Sequence, residues 1–256
     1  MERWKNKVAV VTGASSGIGN AVSEKLVENN VIVMGFARSK DKLEEMSRKL
    51  NNNSNKSFYY RVVDVKKEED IVNGFKWVAE NLGPVHILIN NAGIIRVTTL
   101  ADGDVNLWKE TFDTNFMGLS IATREAVRDM KRNNVDGHIV HINSIAGHYP
   151  LLGSNMYSPS KSAVKSYSEL LRLELAAANT KIKITSVSPG LVATNLLKSA
   201  FENSKIPLHS SVISFYSKLT EILEPEDVAD SVIYSLGTPP HVEVNDIIIK
   251  PIGEKV

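Results

Sequence analysis

The chain has no cysteine among its 256 residues. That excludes disulfides, thiolate metal sites and a cysteine nucleophile, and it suits a reducing compartment. It has no excess of either charge, with 30 Lys+Arg against 29 Asp+Glu. Nothing electrostatic therefore points to nucleic acid or to an anionic membrane. No apolar run approaches the roughly 20 residues of a membrane span. The opening MERWKNK is polar and runs directly into an apolar strand, so no signal peptide is expected and a cytoplasmic location is. The six histidines show no metal-ligand spacing, and no metal is expected.

What is present begins with KVAVVTGASSGIGNA at Lys7–Ala21. Val8 to Val11 is a β-branched apolar run, suited to a strand buried on both faces. Gly13, Gly17 and Gly19 then break it, and helical spacing resumes from Asn20 to Val27. Strand, glycine turn and helix together can cradle a pyrophosphate: glycine permits a tight turn and close approach, and the helix start offers free N–H groups. The spacing is G-x-x-x-G-x-G, so a plain glycine loop competes with a nucleotide role until later residues decide.

Strand-like and helix-like segments then alternate. Strands are read at Val31–Phe36, Phe58–Val63, Val85–Ile89, His138–Ile142, Ile182–Val187 and Ile247–Ile249. Helices are read at Lys40–Leu50, around Ile71, Phe75, Val78 and Leu82, at Leu107–Met130, at Met156–Ala178, and after Pro225. Asn51–Ser57 reads as a mobile polar surface loop. The pattern predicts one α/β domain over residues 1–256, with a doubly wound, mostly parallel seven-stranded sheet of Rossmann type. Ligands of such sheets bind outside the carboxyl ends of the strands. Unusual polar residues collect there: Arg38 and Ser39, Asp64 and Val65, Asn90–Gly93, Asn143–Ser144, and Ser188–Thr194.

Tyr157 and Lys161 lie four apart, on one face of a helix. A phenol with a pKa near ~10 is a poor base at neutral pH, and a nearby ammonium favours the phenolate. Alone, the pair is also compatible with an ordinary surface Tyr–Lys neighbourhood. Pro159 between them is harmless only in a first turn, so the helix is expected to begin near Tyr157 with Ser154 or Asn155 as its cap.

The set Thr12–Gly19 (T-G-x-x-x-G-I-G), Asn90–Gly93 (N-N-A-G), Asn115, Ser144, Tyr157-x-x-x-Lys161 and Pro189-Gly190 resembles the short-chain dehydrogenase/reductase family. RWKNKVAVVTGASSGIG and DGHIVHINSIAGH further resemble the family's insect farnesol dehydrogenase-like branch and its vertebrate dehydrogenase/reductase relatives. The resemblance implies an oxidoreductase in which Tyr157 is the general acid/base and Ser144 holds the substrate oxygen. It implies that Lys161 also holds the nicotinamide ribose and that Asn115 supports the lysine through water. A buried amide at a helix irregularity is the competing reading of Asn115. Gly13, Ser15, Ser16, Gly17, Ile18 and Gly19 would serve the pyrophosphate turn. Asp64 and Val65 would flank adenine, with Asn91, Ala92 and Gly93 on the adenosine side. Pro189, Gly190, Val192 and Thr194 would lie at the carboxamide end.

Cofactor choice turns on the second strand. An acid there selects NAD and a cation NADP. Ala37 occupies the acid's position and Arg38, Ser39 and Lys40 follow, which favours NADP over NAD, with Asp41 the complication. The segment 195–224 is expected to cap an apolar pocket through Leu196, Leu197, Phe201, Ile206, Leu208, Val212, Ile213, Phe215 and Tyr216. A farnesol-type prenyl alcohol fits such a pocket, as does a hydroxysteroid or another lipophilic carbonyl. A non-catalytic nucleotide-binding protein is the remote alternative. His148 and Tyr149 are read as either substrate contacts or structural residues. By resemblance the two long helices form a homodimer or homotetramer interface.

Overall fold

The computed structural model describes residues 1–51, 57–151, 153–202 and 221–254, with Phe201 described in backbone only. The middle of the polar loop (residues 52–56) and Ile206, Leu208, Val212, Ile213, Phe215 and Tyr216 lie outside the described residues.

Seven strands form one sheet in the order β3-β2-β1-β4-β5-β6-β7. They are β1 (Val8–Thr12), β2 (Ile32–Ala37), β3 (Phe58–Val62), β4 (Val85–Asn90), β5 (His138–Ile142), β6 (Lys183–Pro189) and β7 (Asp246–Ile249). Every pairing is parallel. The expected sheet is thus observed, with β1 in its interior and entirely buried because both of its faces are covered.

Helices α1 (Gly17–Glu28), α2 (Lys40–Leu50) and α8 (Pro225–Gly237) cover one face around Leu26, Leu43, Val228 and Val232. Helices α3 (Glu68–Asn81), α5 (Gly118–Arg132) and α6 (Tyr157–Ala177) cover the other around Ile71, Phe75, Met130 and Leu175. Each such side chain, taken fully out of water, contributes about 1.5–3 kcal/mol before chain entropy is set against it. Of two shorter helices, α4 (Val105–Phe112) and α7 (Asn195–Glu202), the second lines the site. Glu224 and Asp227 form a reciprocal cap at α8, with Pro225 in its first turn.

Two helix expectations change. The run expected from Leu107 begins two residues earlier, where the Asp104 side chain accepts from Asn106 N–H at 2.8 Å. It is also not one α-helix: a π-helical turn over Asp113–Met117 separates α4 from α5. Helix α6 does begin at Tyr157, placing Pro159 in the first turn. Neither proposed cap acts, however. Met156 is the N-cap, the Ser154 hydroxyl turns to Leu151 O and Ser158 Oγ, and Asn155 sits in a left-handed conformation (φ 52°).

Candidate active site

Beyond the carboxyl ends of the strands lies a cavity of about 730 Å³. At its centre is the turn after β1. Gly13 and Gly17 have positive φ (66° and 52°), and a Cβ on Gly13 would meet Ala92 Cα at 2.9 Å. The Asn90–Gly93 segment braces this turn. Thr12 Oγ1 accepts from Asn91 N–H at 3.0 Å and Ala92 N–H at 3.1 Å, while Asn91 Nδ2 donates to Thr12 O and Gly13 O. The start of α1 has neither a side-chain cap nor an acid in its first turn. Its N–H groups and dipole therefore present an anion site. Ser15, Ser16, Gly17 and Ile18 line the cavity, but Gly19 does not. A Cβ there would collide with Asn91 Nδ2 and Gly13 O, so Gly19 lets helix and turn pack closely.

At one end the wall carries Ala37, Arg38, Ser39 and Lys42, with Asp64 and Val65 nearby; Asp41 is absent from the lining. Lys42 was not singled out from sequence, although it continues the run of loop cations into the first turn of α2.

At the other end stand Ser144, Tyr157 and Lys161, all lining the same cavity. Ser144 follows β5 and caps a short helical turn, its Oγ accepting from Ala146 N–H at 3.1 Å. Lys161 Nζ lies 5.6 Å from the Tyr157 ring centroid and donates to Ile142 O at 2.7 Å. Burial lowers the Lys161 pKa to about 8. That bond to the end of β5, with Gly147 packed under Lys161 O, joins the two elements that present the set. A Cβ on Gly147 would approach that carbonyl to 2.7 Å.

Asn115 is buried in the π-helical turn. Its Oδ1 accepts from Ile94 N–H at 2.8 Å, and its Nδ2 donates to Ile94 O at 2.9 Å and Ser160 Oγ at 3.1 Å. It does not line the cavity. Its side chain thus ties the wall segment after Gly93 to the helix carrying the Tyr–Lys pair. Pro189, Gly190, Val192 and Thr194 line the cavity after β6, joined by Leu191.

Ile94, Ile95, Val97, Leu151, Leu196 and Leu197 give the reactive end an apolar wall. Arg96 also reaches it, but Glu110 holds that guanidinium through two bonds of 2.7 and 3.1 Å. The same cation keeps the Glu110 carboxyl below its ordinary pKa. His148 and Tyr149 are not in the lining. His148 Nε2 instead pairs with Ser188 Oγ at 2.9 Å and faces Asp246 at 3.4 Å, which is the structural reading. Among the described residues no cluster of three or more His, Cys, Asp or Glu could hold a metal ion, and no helix is long and apolar enough to cross a membrane.

The glycine cradle, the bare start of α1 and an elongated wall joining Arg38 to Tyr157 fit a dinucleotide. Residues 7–205 match the family model described as short chain dehydrogenase. The chain belongs to the short-chain dehydrogenase/reductase family, whose nucleotide-binding fold and oxidoreductase class it shares. Within that family it is 44% identical to a farnesol dehydrogenase of Aedes aegypti over the full length of both chains. It is 42% identical to dehydrogenase/reductase SDR family member 11 of Homo sapiens, covering 98% of this chain and 96% of that one. Among solved structures, the closed form of a serine dehydrogenase complexed with NADP+ superposes with a TM-score of 0.86 at 27% identity, covering 97% of this chain and 96% of that one. A family member from Burkholderia phymatum in complex with NAD gives 0.86 at 25% identity, over 97% of this chain and 90% of that one. A pyridine nucleotide is thus the cofactor class.

Proposed function

We propose that this protein is an NADP(H)-dependent oxidoreductase that interconverts a lipophilic alcohol, of the farnesol type, and its aldehyde or ketone. One observation carries the reading: Ser144, Tyr157 and Lys161 share a single cavity with Arg38 and Lys42, across an apolar wall. Among the described residues neither Arg38 nor Lys42 forms an ion pair, and Asp41 stays off the wall. This arrangement supports a 2′-phosphate more than a bare ribose hydroxyl. The farnesol dehydrogenase relative supports the prenyl alcohol.

When bound, the nicotinamide supplies the hydride acceptor or donor. The chain's own part is proton transfer and position. In the oxidising direction Ser144 donates a hydrogen bond to the substrate oxygen and Tyr157 takes the hydroxyl proton. In the reducing direction Tyr157 returns it. Lys161 supplies the positive charge that favours the phenolate. Ile142 O takes one of its three N–H donors, leaving the others for the nicotinamide ribose. The apolar wall excludes water and receives the substrate chain. Leu196 and Leu197 of α7 line the pocket, alongside the polar Asn195, Lys198, Ser199 and Glu202. The subunit pairs through α4–α5 and α6 as a homodimer or homotetramer, a reading supported by Leu170 and Leu173 standing exposed on α6.

The test follows the absorbance of reduced nicotinamide with purified protein, NADP or NAD, and farnesol or a hydroxysteroid. Turnover with NADP and farnesol is the expected result. Turnover on the steroid alone would discard the prenyl substrate and keep the chemistry. Silence with every substrate, while NADPH still binds, would favour a non-catalytic nucleotide binder.

A further inference from the structure

The last described residues turn back onto the reactive end of the cavity. Beyond β7, Pro251 is buried, Gly253 takes a left-handed conformation (φ 85°), and Glu254 N–H closes the turn on Pro251 O at 3.2 Å. The turn carries a carboxyl indoors: Glu254 is only 7% exposed and belongs to the cavity lining. Its Oε1 accepts from Leu191 N–H at 3.1 Å. Its Oε2 is closed to solvent, has no hydrogen-bond partner among the described residues, and lies against Gly190. A Cβ at position 190 would collide with that oxygen and come within 3.1 Å of Pro251 Cδ. Gly190 has no positive φ to explain it, so its missing side chain is what admits the tail.

A glutamate side chain would ordinarily rotate into water, because burying a carboxyl with one oxygen unpaired is costly. Burial raises its pKa, against the pull of Leu191 N–H and of Lys250. The carboxyl stays inside because it meets the one backbone stretch, Pro189 to Thr194, that walls the reactive end after β6. Gly190 N–H is likewise tied, to Ile249 O at 2.8 Å, so strand end and tail hold this loop from two sides.

We propose that Glu254 is a positioning residue for the reactive end of the site, fixing the loop after β6 through Leu191 N–H so that the nicotinamide half of the cofactor meets a preformed wall. This rests on the dinucleotide reading above. Its effect falls on one half of the ligand only, since the 2′-phosphate-bearing half is read by Arg38 at the other end of the cavity.

The experiment titrates NADPH and adenosine 2′,5′-bisphosphate, which lacks the nicotinamide half, into full-length wild type, E254A, E254Q and G190A. E254A is expected to weaken NADPH about tenfold, the scale of losing one hydrogen bond to a charged group. Bisphosphate binding should stay unchanged. E254Q keeps an oxygen for Leu191 N–H and should recover most of the loss. G190A pushes the carboxyl aside and should repeat the E254A pattern. Unchanged NADPH affinity in E254A would overturn the proposal. So would equal losses for both ligands, which is what general destabilisation produces. A wild type that binds neither ligand would overturn the dinucleotide reading itself, and this proposal with it.

Discussion

In the proposed NADP(H) reading, Arg38 is the side chain that separates the two cofactors. A guanidinium forks onto a phosphate with two charge-assisted hydrogen bonds but gains little from a ribose hydroxyl. Arg38→Ala is therefore expected to weaken NADP(H) by roughly 10- to 100-fold while changing NAD(H) far less. Titration with each nucleotide measures this, and equal losses would remove the phosphate role. Residues of this kind were legible in the sequence because their chemistry depends on type and strand position alone. Arg38, Ser144, Tyr157 and Lys161 all line the cavity as read. Packing partners mark the limit: the Asn115 amide binds Ile94 and Ser160, contacts 21 and 45 residues away in sequence that no local pattern encodes. Glu254 was invisible for the same reason: a lone glutamate reads as solvated until the turn at Gly253 is seen to carry it indoors.

The elements add a pH dependence of their own. His138 and His141 of β5 are buried, and burial lowers the pKa of each to about 3. His141 is held between Ser168 Oγ at 2.8 Å and Thr123 Oγ1 at 3.2 Å, and His138 meets Thr185 Oγ1 at 2.8 Å. Both imidazoles stay neutral in the fold while the unfolded chain protonates near pH 6.5. The unfolded state thus binds more protons below that pH, and stability falls as pH drops from 6.5 toward 3. The expected slope approaches roughly 1.4 kcal/mol per pH unit for each imidazole. Urea midpoints between pH 7 and 5 measure it above the carboxylate range, and a flat profile would contradict it. At this scale the strands were read within two residues, because parallel-sheet strands are continuous apolar runs. The π-helical turn at Asp113–Met117, where Asn115 bonds Ile94, was legible only as an irregularity at Asn115, because periodicity does not mark a single wider turn.

For the molecule as a whole, the doubly wound parallel sheet followed from alternating strand and helix patterns, while assembly does not follow from the fold. Leu170 and Leu173 are 64% and 68% exposed and lie three apart on α6. Burying such a leucine in a partner's face is worth about 1.5–3 kcal/mol, so Leu173→Lys is expected to shift sedimentation from dimer or tetramer toward monomer. An unchanged distribution would move the interface elsewhere. The account rests above all on proton transfer by Tyr157 beside Lys161. The most direct measurement follows reduced nicotinamide for wild type and Tyr157→Phe with NADP and farnesol, with NADPH affinity titrated on both proteins. The prediction is turnover in the wild type, near-complete loss in the Phe variant, and largely unchanged NADPH binding. A Phe variant that keeps most of its turnover would contradict the assignment of Tyr157 as the acid/base.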